Sequence, residues 1–171
     1  MDEFSFYPPS HPGERLFFWE DMHAVKSSGP GHGTTILRNV GTSPKAIAAW
    51  LTSDPDFQII SPPTQVTSVD GLKATRIIVG VSPHARYGDS QCPPNPRCAD
   101  LFRRQDNSEY ASIGGPEQVR IDIAAVRIAG RQHTLFIALD APDGHDELER
   151  LTAEAQPILR SVRLHANVTA D

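Results

Sequence analysis

Apolar positions along this chain switch between two spacings, and the switches mark its elements. In residues 43–53, Ile47, Trp50 and Leu51 fall at i, i+3 and i+4, one stripe of a 3.6-residue period, which predicts an amphipathic helix. Ser43 is a preferred N-cap, and Pro44 takes the first helical position, where its missing N–H costs nothing. Asp54-Pro55-Asp56 ends the helix, because proline turns its predecessor away from the helical region. Residues 57–60 and 72–81 are then apolar and β-branched, with Asp70-Gly71 as a turn between them. Thr75, Ile77, Val79 and Val81 alternate with Arg76, Ile78 and Gly80, a period of two that predicts a strand.

The same two periods organise the rest. Residues 15–25 carry Leu16, Phe17, Phe18 and Trp19, a bulky strand-like run that pairs, as a long hairpin, with residues 34–40 across the loop 26–33. Val119, Ile121 and Ile123 alternate with Arg120 and Asp122. The phase slips at Ala124-Ala125, as a β-bulge would make it slip. That alternation puts Arg120 and Asp122 on an open, solvated sheet face. Ala129-Gly130-Arg131 turns the chain into a strand over 134–139, with glycine supplying a positive φ. A second helix runs from 145 to about 162 on Leu148, Leu151, Ala155, Ile158, Leu159 and Val162. Pro157 lies inside it and predicts a bend. Residues 1–13 read as an extended entry, 82–100 as a loop holding both cysteines, and 165–171 as a flexible polar tail. Paired prolines at Pro8-Pro9, Pro62-Pro63 and Pro93-Pro94 mark loops. The expectation is a single domain over 1–171 of α+β class, a twisted antiparallel sheet of about six to seven strands flanked by two main helices.

Charge narrows the partners. A formal net charge of −5 argues against nucleic acid, which calls for a basic face; Arg97, Arg103 and Arg104 form the one local basic cluster. No run approaches the roughly 20 apolar residues that span a bilayer. Met1-Asp2-Glu3-Phe4 lacks the basic start and apolar stretch of a signal peptide. The expectation is therefore a cytoplasmic chain, or a soluble piece whose leader or anchor was removed.

Four segments carry a resemblance. They are Ala49-Trp50-Leu51-Thr52-Ser53-Asp54-Pro55, Val69-Asp70-Gly71-Leu72-Lys73-Ala74, Cys92 with Cys98-Ala99-Asp100-Leu101-Phe102, and Ile158-Leu159-Arg160-Ser161-Val162. With the element order, these make the chain resemble extracytoplasmic, lipoprotein-like actinobacterial domains of PsbP-like or Mog1-like fold, over about residues 14–164. The resemblance implies helices packed on an antiparallel sheet, and an exported or membrane-tethered protein. Its motifs are structural rather than catalytic.

Candidate chemistry is sparse. Cys92 and Cys98 bracket a short proline-rich loop, and in an oxidising compartment they read as a disulfide. Two reduced structural cysteines are the alternative, and zinc lacks further ligands at knuckle spacing. Ser27-Ser28-Gly29-Pro30-Gly31-His32-Gly33 is glycine-rich but lies between strand-like segments, so it reads as a hairpin loop rather than a phosphate loop. Seven histidines are scattered without His-Glu-x-x-His spacing, and no Gly-x-Ser-x-Gly elbow occurs. No cofactor or metal is expected. Phe17, Trp19, Trp50, Phe102 and Phe136 are core candidates that double as the lining of an apolar pocket between sheet and helix. The expected function is a non-catalytic binding or scaffolding domain of the cell envelope, taking a small apolar ligand or an envelope protein. The alternatives are a small enzyme with a dispersed site from His23, His32, His84 and Asp122, and a cytosolic Mog1-like adaptor that binds a protein through its sheet face.

Overall fold

A computed structural model describes residues 4–6, 15–27, 33–85, 97–106, 108, 110–164 and 168–170. In chain order the elements are β1 (Phe4–Phe6), β2 (Arg15–Glu20), β3 (His23–Ser27), β4 (Thr34–Ile36), α1 (Pro44–Ser53), β5 (Phe57–Thr67), a 3-10 turn at Val69–Gly71, β6 (Lys73–Val81), β7 (Cys98–Arg103), β8 (Tyr110–Gly114), β9 (Gln118–Ile128), β10 (Arg131–Ala141), α2 (His145–Ser161) and β11 (Val168–Ala170). The protein is α+β, with two α-helices and antiparallel strand pairing throughout the described residues.

The strands form two sheets rather than one. The larger runs β1-β2-β10-β9-β6-β5, with β11 also pairing β9, and the smaller runs β4-β3-β7-β8. The expected long hairpin of 15–25 therefore divides. Asp21 has φ 52°, and the chain leaves β2 of the large sheet there to enter β3 of the small one. Only β3 pairs with the strand after the loop, Val25 opposite Ile36. Asp21 secures this corner: its N–H donates to the Thr134 carbonyl at 2.9 Å, and its Oδ1 accepts from the Thr134 N–H at 2.9 Å.

Both faces of the large sheet are covered, and this explains the phase slip in β9. Val119, Ile121 and Ile123 face a core shared with α1 and the small sheet, including Ile47, Trp50, Leu51, Leu101 and Ile113. Ala124 and Val126 face a second core with Leu148, Leu151, Ala155 and Leu159 of α2. The β9–β10 register runs unbroken from Arg131 opposite Ile128 to Ala141 opposite Gln118. No bulge interrupts it, and the apparent slip is a strand buried on two faces. The register shifts lie instead in β5, around Ser61. Pro62 and Pro63, expected to mark a loop after residue 60, lie instead within β5, exposed on an edge strand where the missing N–H breaks no ladder bond.

The helices follow their sequence signals. The Ser43 side chain accepts from the Ala46 N–H, Pro44 opens α1, and the Asp54 N–H closes it on the Trp50 carbonyl. Such a cap stabilises by about 1 kcal/mol. Asp146 and Glu147 occupy the first turn of α2, and Arg160 its last, each complementing the helix dipole. Pro157 lies within α2, which continues to Ser161. The two-residue turn Ala129-Gly130 has both φ angles positive, 50° and 79°, the geometry that matches strand twist in a tight hairpin.

Two further expectations are corrected: Cys98 belongs to β7 rather than to the preceding loop, and Val168–Ala170 of the polar tail pairs with β9. β8 is an additional strand without a counterpart in the sequence pattern. Among the described residues no helix is long and apolar enough to cross a membrane.

Candidate functional site

Arg120 and Asp122 are not on a solvated face. They share the α2-side face of β9 with Ala124 and Val126, and are 4% and 1% exposed. Asp122 sits opposite Arg76 of β6 in the strand register, which brings the two side chains together. Arg76 grips the carboxylate with both arms of its fork, Nε to Oδ1 and Nη2 to Oδ2, each at 2.7 Å. From the same strand, Arg120 donates Nη2 to Oδ2 at 3.1 Å. The Ser68 hydroxyl, just before the 3-10 turn, donates to Oδ2 at 3.0 Å. Burial alone would raise the Asp122 pKa. The hydrogen bonds and charges of Arg76 and Arg120 outweigh it and hold the carboxyl below its ordinary 3.8.

The two arginines of this triad line an open cleft of about 440 Å³ between the 67–71 turn and the C-terminal end of α2. Arg76, Arg120, Arg160 and Arg163 all line it, beside Ser68 and Gln156. The Nη1 of buried Arg120 has no hydrogen-bond partner among the described residues. Arg163 Nη1 donates to the carbonyls of Arg160 and Val162 at 2.6 and 2.9 Å, offsetting the negative end of the α2 dipole. Asp70 Oδ2 accepts from the Leu164 N–H at 3.0 Å and ties the turn to the chain leaving α2. The cleft is polar, framed by the turn on one side and α2 on the other.

Two other ionisable clusters lie elsewhere. Arg15 Nη2 reaches Asp140 Oδ2 at 2.7 Å and Glu117 Oε1 at 3.7 Å. Burial pushes Asp140 up to about 9; neighbouring Glu117 pushes the same way, and Arg15 pulls back. His133 Nδ1 lies 2.8 Å from Glu20 Oε1 and 2.7 Å from Asp21 Oδ2. These three groups are close enough to hold a metal ion, but the hydrogen bonds that pin the Asp21 corner already account for their arrangement.

The residues singled out from sequence fall differently. Phe17, Trp19, Trp50, Phe102 and Phe136 gather in one buried cluster. Phe17 stacks on Trp19 at 4.6 Å, Trp50 lies 5.9 Å from Phe102, and Phe102 lies 5.0 Å from Phe136. They fill the core between the sheets and α1, and none of them lines the cleft. His23 opens β3, His84 is exposed in the turn after β6, and Asp122 faces α2 from the large sheet. His32 lies outside the described residues. Cys98 is buried at the start of β7, while Cys92 lies outside the described residues, so their bond stands as a proposal.

Sequence reasoning missed Arg76, Arg160 and Arg163 as site residues. One signal was present: Arg76, Arg120 and Asp122 stand at strand positions flanked on the same face by Ala74, Ile78, Ala124 and Val126, a charged patch inside an apolar face. No protein-family model, curated protein or solved structure matches the chain.

Proposed function

We propose that this chain is a non-catalytic binding domain of the cell envelope, and that the cleft between the 67–71 turn and α2 is its ligand site. The observation that carries the cleft is the buried Arg120, whose Nη1 lacks a described partner in a wall of four arginines. Buried polar groups are normally satisfied, and a bound ligand or an ordered water supplies what the protein does not. Asp122 suits a scaffold better than a catalyst. It is saturated with donors and held ionised, so it has little basicity to spend on proton transfer. The apolar ligand expected from sequence has less support, because the five aromatic candidates pack against one another or against the rest of the core.

The envelope assignment is supported by the resemblance to extracytoplasmic domains of PsbP-like or Mog1-like fold, and it goes with the proposal that Cys92 and Cys98 form a disulfide. The test of the binding reading is a nuclear magnetic resonance screen of small polar compounds, neutral and charged, against the full chain. Hits should move the amide signals of Ser68 to Gly71 and of Gln156 to Leu164. Hits that map elsewhere, or no hits at all, would count against the cleft.

A further inference from the structure

We infer that the cleft recognises a phosphomonoester group, an inference that rests on the binding reading above. Four guanidinium groups line it or form its floor, and the carboxylates of Asp70 and Asp122 offset two of them. The remaining surplus of two positive charges sits in a chain whose formal charge is −5, so the cationic character belongs to this place and not to the surface at large. A phosphomonoester carries about −1.5 to −2 charges near neutral pH, which matches the surplus; a monocarboxylate would leave half of it uncompensated.

The donors suit the same group. Guanidinium forks pair with phosphate oxygens through two parallel bonds, and planar, rigid donors lose little freedom in doing so. Arg76 and Arg120 direct Nε and Nη2 to Asp122, which fixes their orientation and leaves Nη1 of each as the further donor, so the bidentate role falls to Arg160 and Arg163. Arg160 and Arg163 are exposed and close the cleft from α2. The volume of about 440 Å³ exceeds what a bare phosphate fills and leaves room for a sugar-sized body. Gln156 and Leu159 provide an amide and an apolar surface for that body. The esterified group comes either from a soluble sugar phosphate or from a lipid headgroup ending in a phosphomonoester; the recognition chemistry is shared.

The experiment is isothermal titration of the full chain with glucose 6-phosphate, with glucose, and with phosphatidylcholine vesicles that contain or lack phosphatidic acid. The inference expects glucose 6-phosphate or the phosphatidic acid vesicles to bind, with affinity falling as salt rises, and glucose and pure phosphatidylcholine to be silent. Binding of the sugar phosphate identifies a soluble source, and binding of the vesicles alone identifies a headgroup. Arg160→Gln with Arg163→Gln should weaken that binding at least tenfold in a protein that stays folded, with only the small fall in melting temperature that losing exposed contacts at the α2 C-terminus brings. Silence from both phosphate probes, or binding that survives the double substitution, overturns the inference. If neutral compounds still map to the cleft in the screen, the phosphate assignment falls alone; if nothing maps there, the binding reading falls with it.

Discussion

Replacing Asp122 by asparagine keeps the shape of the side chain and removes its charge. The carboxylate is 1% exposed and accepts from Arg76, Arg120 and Ser68. Arg76 is 28% exposed at its side chain, so water can compensate much of what it loses. Arg120 is 4% exposed and has no such recourse; its guanidinium would be left charged and buried. Breaking a buried pair in this way costs about 3–5 kcal/mol, and the surviving asparagine oxygen, which still accepts, places the expectation near the lower end. Equilibrium urea unfolding at pH 7 should show this as a lower midpoint with an unchanged slope. The pH dependence gives a second reading. Asp122 is lowered in the folded state, so its stabilisation is fully present above the ordinary value of 3.8 and is lost as pH falls through the folded pKa. The variant should therefore lose less stability than the parent on acidification below about pH 4. Arg120→Met in the Asp122→Asn background should recover part of the loss, because it removes the orphaned charge. A cost under about 1 kcal/mol, with no recovery on adding Arg120→Met, would refute the buried triad.

Other perturbations test other parts of the structure. Trp50→Ala removes a ring packed on Phe57 and Phe102 and should cost about 3–5 kcal/mol in unfolding experiments by leaving a cavity; overlaid curves would contradict that packing. Asp140 has a folded pKa raised to about 9 from 3.8, so the folded state holds more protons than the unfolded one between those values. Its contribution to stability falls as pH rises through that window, and Asp140→Asn should flatten the stability profile between those two values; identical profiles would sink the assignment. Mass spectrometry of the unreduced, alkylated protein made under oxidising conditions should show no free thiol at Cys92 or Cys98; two labelled thiols would remove the disulfide and weaken the envelope reading.

How much of this was legible in the sequence depended on whether an element's partners were local. Both helices were readable, since Ser43-Pro44 and the Leu148, Leu151, Ala155, Leu159 stripe carry caps and period within one segment. The hairpin β5–β6 and the Ala129-Gly130 turn were legible for the same reason. The division into two sheets was not, because it turns on Asp21, whose positive φ is secured by Thr134, far away in sequence. The doubly covered large sheet blurred the period of β9, and a strand apolar on both faces imitates a bulge. β8 is a short strand with two buried apolar residues, Ala111 and Ile113, too few for a period. The cleft was hidden by the same error of face. With Arg120 and Asp122 read as a solvated face, nothing in the sequence calls for a partner such as Arg76 or for arginines from the end of α2.

The most direct test of the cleft as the ligand site follows the arginine side chains themselves. The Nε–Hε signals of the protein, recorded while glucose 6-phosphate is added, report each guanidinium separately. The account predicts progressive, saturable shifts at Arg76, Arg120, Arg160 or Arg163, with the Arg15 and Arg103 signals unmoved. Shifts confined to arginines outside the cleft, or no shift at any of them with glucose 6-phosphate and then with a soluble short-chain phosphatidic acid, would contradict it.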